Sequence, residues 1–192
     1  MKKQEKLDLI RQAIEHPTLH QYFFTYDLEC IFYPLAVNDK FILGQKENDF
    51  VLDGYHIRKL SQLRKIKALP KKYNELCEAV GLPSKLKAPD IDISSWQSIF
   101  EGLQKLDTFV IVTNDLHEDF AIGTIQKATK SKLLFNAFDT DGCWSKEPLE
   151  IPYSSITAVR WNTRYDLVWK QYQNKKKAQI VNDKHNAYRH KQ

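Results

Sequence analysis

Apolar positions along the chain follow two rhythms. Leu7, Ile10 and Ile14 fall on one side of a helical repeat and predict a helix over residues 3–15. His16-Pro17 ends it, because a proline disfavours a helical residue before it. Residues 18–28, TLHQYFFTYDL, have the aromatic content of a strand but poor periodicity. From Glu29 the rhythm shortens. The segments ECIFYPLAV, KFILGQKE, DFVLD, YHIRKL and LRKIKAL predict five strands, separated by Asn38-Asp39, Asn48 and Asp53-Gly54. Residues 71–81 return to a helical pattern, with Gly81 as its C-cap.

Residues 82–93, LPSKLKAPDIDI, interrupt both rhythms with two prolines and read as a linker. Ser94, with Gln97 three residues later, predicts a capped helix whose apolar face is Trp96, Ile99, Phe100 and Leu103. A second strand set follows: TFVIVTN, DFAIGTIQKA, KLLFNAFD, LEIPY and ITAVRWN. Thr163 and Asp166 predict the start of a last helix, running from about Arg164 to about Ile180. Past Val181 the chain has little apolar content and is expected to fray.

The two strand sets share an ordered pattern. Phe41-Ile42-Leu43-Gly44 matches Phe120-Ala121-Ile122-Gly123, Asp53-Gly54 matches Asp141-Gly142, and Leu60 to Ile66 matches Tyr153 to Val159. Three matches in one order predict a tandem duplication. The expected fold is mainly β with flanking helices: two tandem, separately packed five-stranded barrels. Residues 1–81 and 94–180 are the expected domains, 82–93 the linker and 181–192 a basic tail. Both Asp-Gly pairs are expected in tight turns with glycine φ above zero.

The stretches Asp141-Gly142-x-Trp144, Ile151-Pro152-Tyr153-x-x-Ile156-Thr157-x-Val159 and Arg164-Tyr165 resemble an uncharacterised bacterial family with Sm-like or SH3-like barrels. Gly44 through Gly54, followed by Tyr55-x-Ile57-Arg58-Lys59-Leu60, is similar to the related N-terminal unit. The resemblance spans roughly residues 30–170. It implies small SH3/Sm-like barrels and carries no activity with it, since small barrels host many unrelated sites.

Charge divides the chain into three. Residues 1–88 hold 15 basic and 11 acidic residues, residues 89–169 hold 7 and 12, and residues 170–192 hold 7 and 1. The net charge of +5 therefore hides an acidic second half. Arg58, Lys59, Arg64, Lys65, Lys67, Lys71 and Lys72 form an acid-free run, and Lys175, Lys176 and Lys177 a second cluster. These are the candidate nucleic-acid contacts, through counterion release, against a simpler reading as solvated surface. The tail lysines are alternatively expected near Asp115, Glu118, Asp119 or Glu150, with Leu167, Val168 and Tyr172 packing the last helix onto the strands.

Trp144, Tyr153, Arg160, Trp161, Arg164 and Tyr165 are candidates for a groove that grips a peptide or stacks bases, against a reading as core packing. No catalytic or metal motif is present in the sequence, and no cofactor is expected. Cys30, Cys77 and Cys143 lack the spacing of a disulfide framework or zinc ribbon, and Cys30 and Cys143 read as packing residues. The N-terminus lacks a signal-peptide core and no apolar run spans a membrane, so the chain is expected to be cytoplasmic. The leading expectation is a non-enzymatic adaptor that binds a protein or peptide. The alternatives are an RNA or single-stranded nucleic-acid binder, and a small-molecule sensor or enzyme with an unfamiliar site.

Overall fold

The computed structural model describes residues 2–25 and 29–189, with backbone only at 177 and 180–189. Its elements are α1 (Lys3–Glu15), β1 (His20–Phe24), β2 (Cys30–Val37), β3 (Phe41–Asn48), β4 (Val51–Lys59), β5 (Leu63–Ala68), α2 (Lys71–Ala79), α3 (Trp96–Gln104), β6 (Val110–Asn114), β7 (Asp119–Ala128), β8 (Lys132–Ala137), β9 (Leu149–Pro152), β10 (Ala158–Trp161) and α4 (Arg164–Arg189). The ambiguous aromatic segment thus forms β1 over His20–Phe24; residues 26–28 lie outside the described residues.

All ten strands form one open antiparallel sheet, ordered β5-β1-β2-β3-β4-β10-β6-β7-β8-β9. Each half repeats one order, with its last strand beside its first. The expected pair of separate closed barrels is corrected at the junction. There β4 pairs with β10, setting Tyr55 opposite Trp161, His56 opposite Arg160, Ile57 opposite Val159 and Arg58 opposite Ala158.

Strand alternation then decides what each face of this seam buries. Ile57 and Val159 point to one side, where they meet Phe41, Leu43, Phe135, Trp161 and the α3 face of Trp96, Ile99, Phe100 and Leu103. The largest core therefore crosses the seam, and the halves do not pack separately. Each fully buried large apolar side chain here contributes about 1.5–3 kcal/mol. The region 82–93 is tied to the body: Leu82 is buried, and Asn38 Nδ2 donates to the Ile93 carbonyl at 2.7 Å. Smaller clusters seat α1 through Leu7 and Ile10, α2 through Cys77, and α4 through Trp169.

Several local expectations shift. DFVLD and YHIRKL are one strand, β4, because the β3–β4 turn lies at Asp49-Phe50, where both residues have positive φ. Asp53-Gly54 is not that turn. It forms a bulge in β4 opposite Lys46, with Gly54 at φ +69. Gly142, at φ +73, does sit in a tight turn, its N–H donating to the Asp139 carbonyl at 2.9 Å.

The match of Phe41–Gly44 to Phe120–Gly123 joins the third strand of one half to the second of the other. Leu60–Ile66 and Tyr153–Val159 do occupy equivalent places, the turn from fourth to fifth strand. Helix α3 is capped one residue later than expected, by Ser95 accepting from the Ser98 N–H at 3.0 Å. The backbone of α4 stays helical to Arg189, past the end of the apolar pattern, because no proline or glycine interrupts it. Its inward face is Asp166, Trp169 and Gln173, while Leu167, Val168 and Tyr172 are exposed, the reverse of the expected stripe.

Candidate functional site

Beyond β8 the sheet curls, and β9 returns towards β6 and β7 without hydrogen-bonding to them. The gap is a groove of about 190 Å³, lined by Val112, Phe120, Ala121, Leu149, Ile151 and Ile156 among others. One edge of β9 pairs with β8, setting Leu133 opposite Ile151 and Phe135 opposite Leu149. Among the described residues its other edge pairs with no strand. Unpaired main-chain groups beside an apolar groove make a template for a further strand. Phe120 and Leu149 are exposed apolar residues at its rim. Glu150 also lines the groove and pairs with Lys132 at 2.6 Å.

The candidate basic residues do not form one patch. Arg58 is buried, pairs with Asp115 at 3.0 Å and lies 4.9 Å from the centre of the Phe24 ring. Lys59 is half-buried and donates to the Tyr153 carbonyl at 3.2 Å, and burial lowers its pKa. Arg64, Lys65 and Lys67 are exposed along β5, the opposite edge strand of the sheet. Charges on an edge strand hinder pairing with other chains. Lys71 and Lys72 open α2, where Lys71 pairs with Glu75 at 3.7 Å. Lys175 is exposed and Lys176 half-buried on α4; the side chain of Lys177 lies outside the described residues, as do those of 181–192. Two of the four acids expected to receive the tail are held elsewhere, Asp115 by Arg58 and Glu150 by Lys132, and Lys170 pairs with Asp107 at 3.6 Å.

The aromatic candidates divide in the same way. Trp161 is in the core, stacked on Tyr55 at 5.2 Å. Tyr153 stacks on Phe100 and donates its hydroxyl to the Thr129 carbonyl at 2.8 Å. Trp144 packs against Phe138 and donates Nε1–H to Gln173 on α4 at 3.2 Å. Arg164 is exposed at the start of α4. Only Arg160 and Tyr165 come together, at a second cavity on the polar face of the seam, with Lys46, His56 and Asp53.

At that cavity His56 is buried, and desolvation holds its pKa well below the ordinary 6.5, with Arg58, Lys46 and Arg160 adding to the effect. Protonation therefore favours the unfolded chain. Stability is intact above about pH 6.5 and falls below it by up to about 1.4 kcal/mol per pH unit, until the folded pKa is reached. His20 acts in the same direction and Asp166, whose pKa burial raises, in the opposite one. Urea titrations from pH 8 to 5 should show this fall, and His56→Gln should flatten it. An undiminished fall in the variant would assign it elsewhere.

No family model matches the chain, nor does any curated protein or solved structure. Among the described residues no group of three or more His, Cys, Asp or Glu could hold a metal ion, and no helix is long and apolar enough to cross a membrane. Cys30 and Cys77 are buried; Cys143 is exposed in its turn, contrary to the packing role expected of it. The sequence pattern does not mark the groove residues or Lys46 as a site. Leu149 and Ile151 read as ordinary strand residues, and nothing in the sequence marks β9 as an edge.

Proposed function

We propose that this chain is a non-enzymatic binding module made of two SH3/Sm-like five-stranded units joined edge to edge, and that it recognises an extended peptide segment of a partner protein. The strand order repeated in the two halves supports the SH3/Sm-like reading. The observation that carries the function is the free edge of β9 running beside the apolar groove. An added strand takes affinity from main-chain hydrogen bonds to β9 and specificity from alternate side chains set into the groove. The groove's volume of about 190 Å³ suits one or two aliphatic side chains.

The test is selection of a displayed random-peptide library on the full chain, followed by affinity measurement on single peptides. Enriched peptides should carry apolar residues at alternate positions and shift the backbone amide signals of β9. Leu149→Arg, at an exposed position, should weaken them on the order of tenfold, about 1.4 kcal/mol, without moving the melting temperature. Failure to enrich any peptide, or equal binding to the variant, would overturn the reading.

A further inference from the structure

The seam cavity is a site of a different chemistry from the β9 groove. His56 on β4 and Arg160 on β10 stand directly opposite each other, and Lys46 on β3 lies across from the bulge. With Ile111, Phe120 and Tyr165 they enclose about 300 Å³. His56 is 3% exposed and its Nε2 has no hydrogen-bond partner. Its ring is held at the cavity floor by Phe32, whose centroid is 4.2 Å away at 82°. Phe32 in turn lies over Gly44, where a Cβ would come within 2.2 Å of the Phe32 ring.

Lys46 and Arg160 are both half-buried, and among the described residues neither side chain has a hydrogen bond or ion pair. Two side-chain cations that face one cavity without an ion pair there favour an anionic ligand. Asp53 also lines the cavity, but its Oδ1 accepts the Arg164 N–H at 2.7 Å, which fixes the carboxylate at the start of α4. The lining thus carries two cations against one anion. Phe120 and Tyr165 stand at the mouth, each 49% exposed, with ring centroids 6.3 Å apart.

We infer that the seam cavity binds a singly charged carboxylate carried on an apolar, planar body, with Lys46 and Arg160 holding the carboxylate over His56 and with the touching rings of Phe120 and Tyr165 packing together against one side of the body. One net positive charge on the lining matches one negative charge on the ligand. A guanidinium meets a carboxylate through two parallel hydrogen bonds, which gives orientation as well as attraction. A phosphate dianion exceeds that complement. The volume lies at the low end for ligand cavities and admits an aryl acid but not a nucleotide. The inference does not depend on strand addition at β9.

The experiment is a titration of the full chain with benzoate, N-acetylphenylalanine, the neutral amide N-acetylphenylalaninamide, and phenyl phosphate, read by the NMR side-chain signals of Arg160 and His56. At least one carboxylate should bind saturably and more tightly than the amide and phenyl phosphate. Benzoate binding points to a free small acid. Binding of N-acetylphenylalanine alone points to a protein C-terminus. Lys46→Gln and Arg160→Gln should each weaken binding about tenfold, and Tyr165→Ala should weaken it without changing the charge. Should Arg160→Gln fail to fold, Lys46→Gln and Tyr165→Ala, on less critical positions, still decide. No saturable shift with either acid, equal binding of acid and amide, tighter binding of phenyl phosphate, or unchanged affinity in Lys46→Gln would each overturn the inference.

Discussion

Gly54→Val is expected to destabilise the chain by about 2–5 kcal/mol, from strain and overpacking together. Gly54 sits in the β4 bulge at φ +69, a conformation that β-branched residues rarely adopt. A Cβ there would come within 2.6 Å of the Thr163 nitrogen and the Trp161 oxygen and 2.7 Å of the Asn162 carbonyl carbon. All three are backbone atoms, so no side chain can swing away. They belong to the junction of β10 and α4, which means the variant forces apart the two halves where they meet. Neighbouring Asp53 would lose its hold on the Arg164 N–H at the same time. Gly142→Val shares the positive φ, but its nearest neighbours are the side chains of Tyr172, Gln173 and Trp169, at 3.0–3.2 Å, and they can move. Chemical denaturation of both variants should rank Gly54→Val well below Gly142→Val. Equal losses would show that the seam tolerates separation.

Asp115→Ala should cost about 1–3 kcal/mol, because it removes a charge-assisted hydrogen bond from the buried Arg58 guanidinium. The side chains are 6% and 14% exposed, and the 3.0 Å contact joins β4 of the first half to the turn after β6 in the second. Phe24, 4.9 Å from the guanidinium, also attracts the charge. Arg58→Met keeps most of the side-chain volume and removes the charge. The double variant Arg58→Met with Asp115→Ala should lose less than the sum of the two single variants, since the two groups touch. A double-mutant cycle in urea measures the coupling. Additive losses would mean that solvent reaches the pair and screens it.

Much of the strand content was legible in the residues themselves. Alternation of apolar and polar positions, with turn residues between, placed β2, β3 and β5 to β10 within a few residues of where they form. The weakest periodicity, in residues 18–28, hid β1, because its aromatic side chains include Tyr22 and Phe24 in the core and Phe23 beside Lys65 at its flank. The Asp-Gly signal at 53–54 misled for a physical reason. Its glycine answers to a close backbone approach from residues 161–163, more than a hundred positions away, and not to a local turn. The turn itself uses Asp49 and Phe50 at positive φ, which no residue-level preference would choose for phenylalanine.

The basic run 58–72 shows the same limit. Charge alone cannot tell Arg58, buried against Asp115, from Lys67, exposed on an edge strand. Arg160 and Trp161 are adjacent in sequence and were read together, yet strand alternation sends one to the seam cavity and the other to the core. What the sequence determined by itself was local: period, polarity and turn chemistry set the helices and most strands, and of the three matches only Leu60–Ile66 with Tyr153–Val159 marked equivalent places in the two halves. What only the tertiary structure decided was non-local. The pairing of β4 with β10 merged the halves into one sheet, left β9 with a free edge, and gathered Lys46, His56 and Arg160 around one cavity. Strand pairing joins residues a hundred positions apart through main-chain hydrogen bonds that every residue type can make, so side-chain pattern does not encode which edges meet.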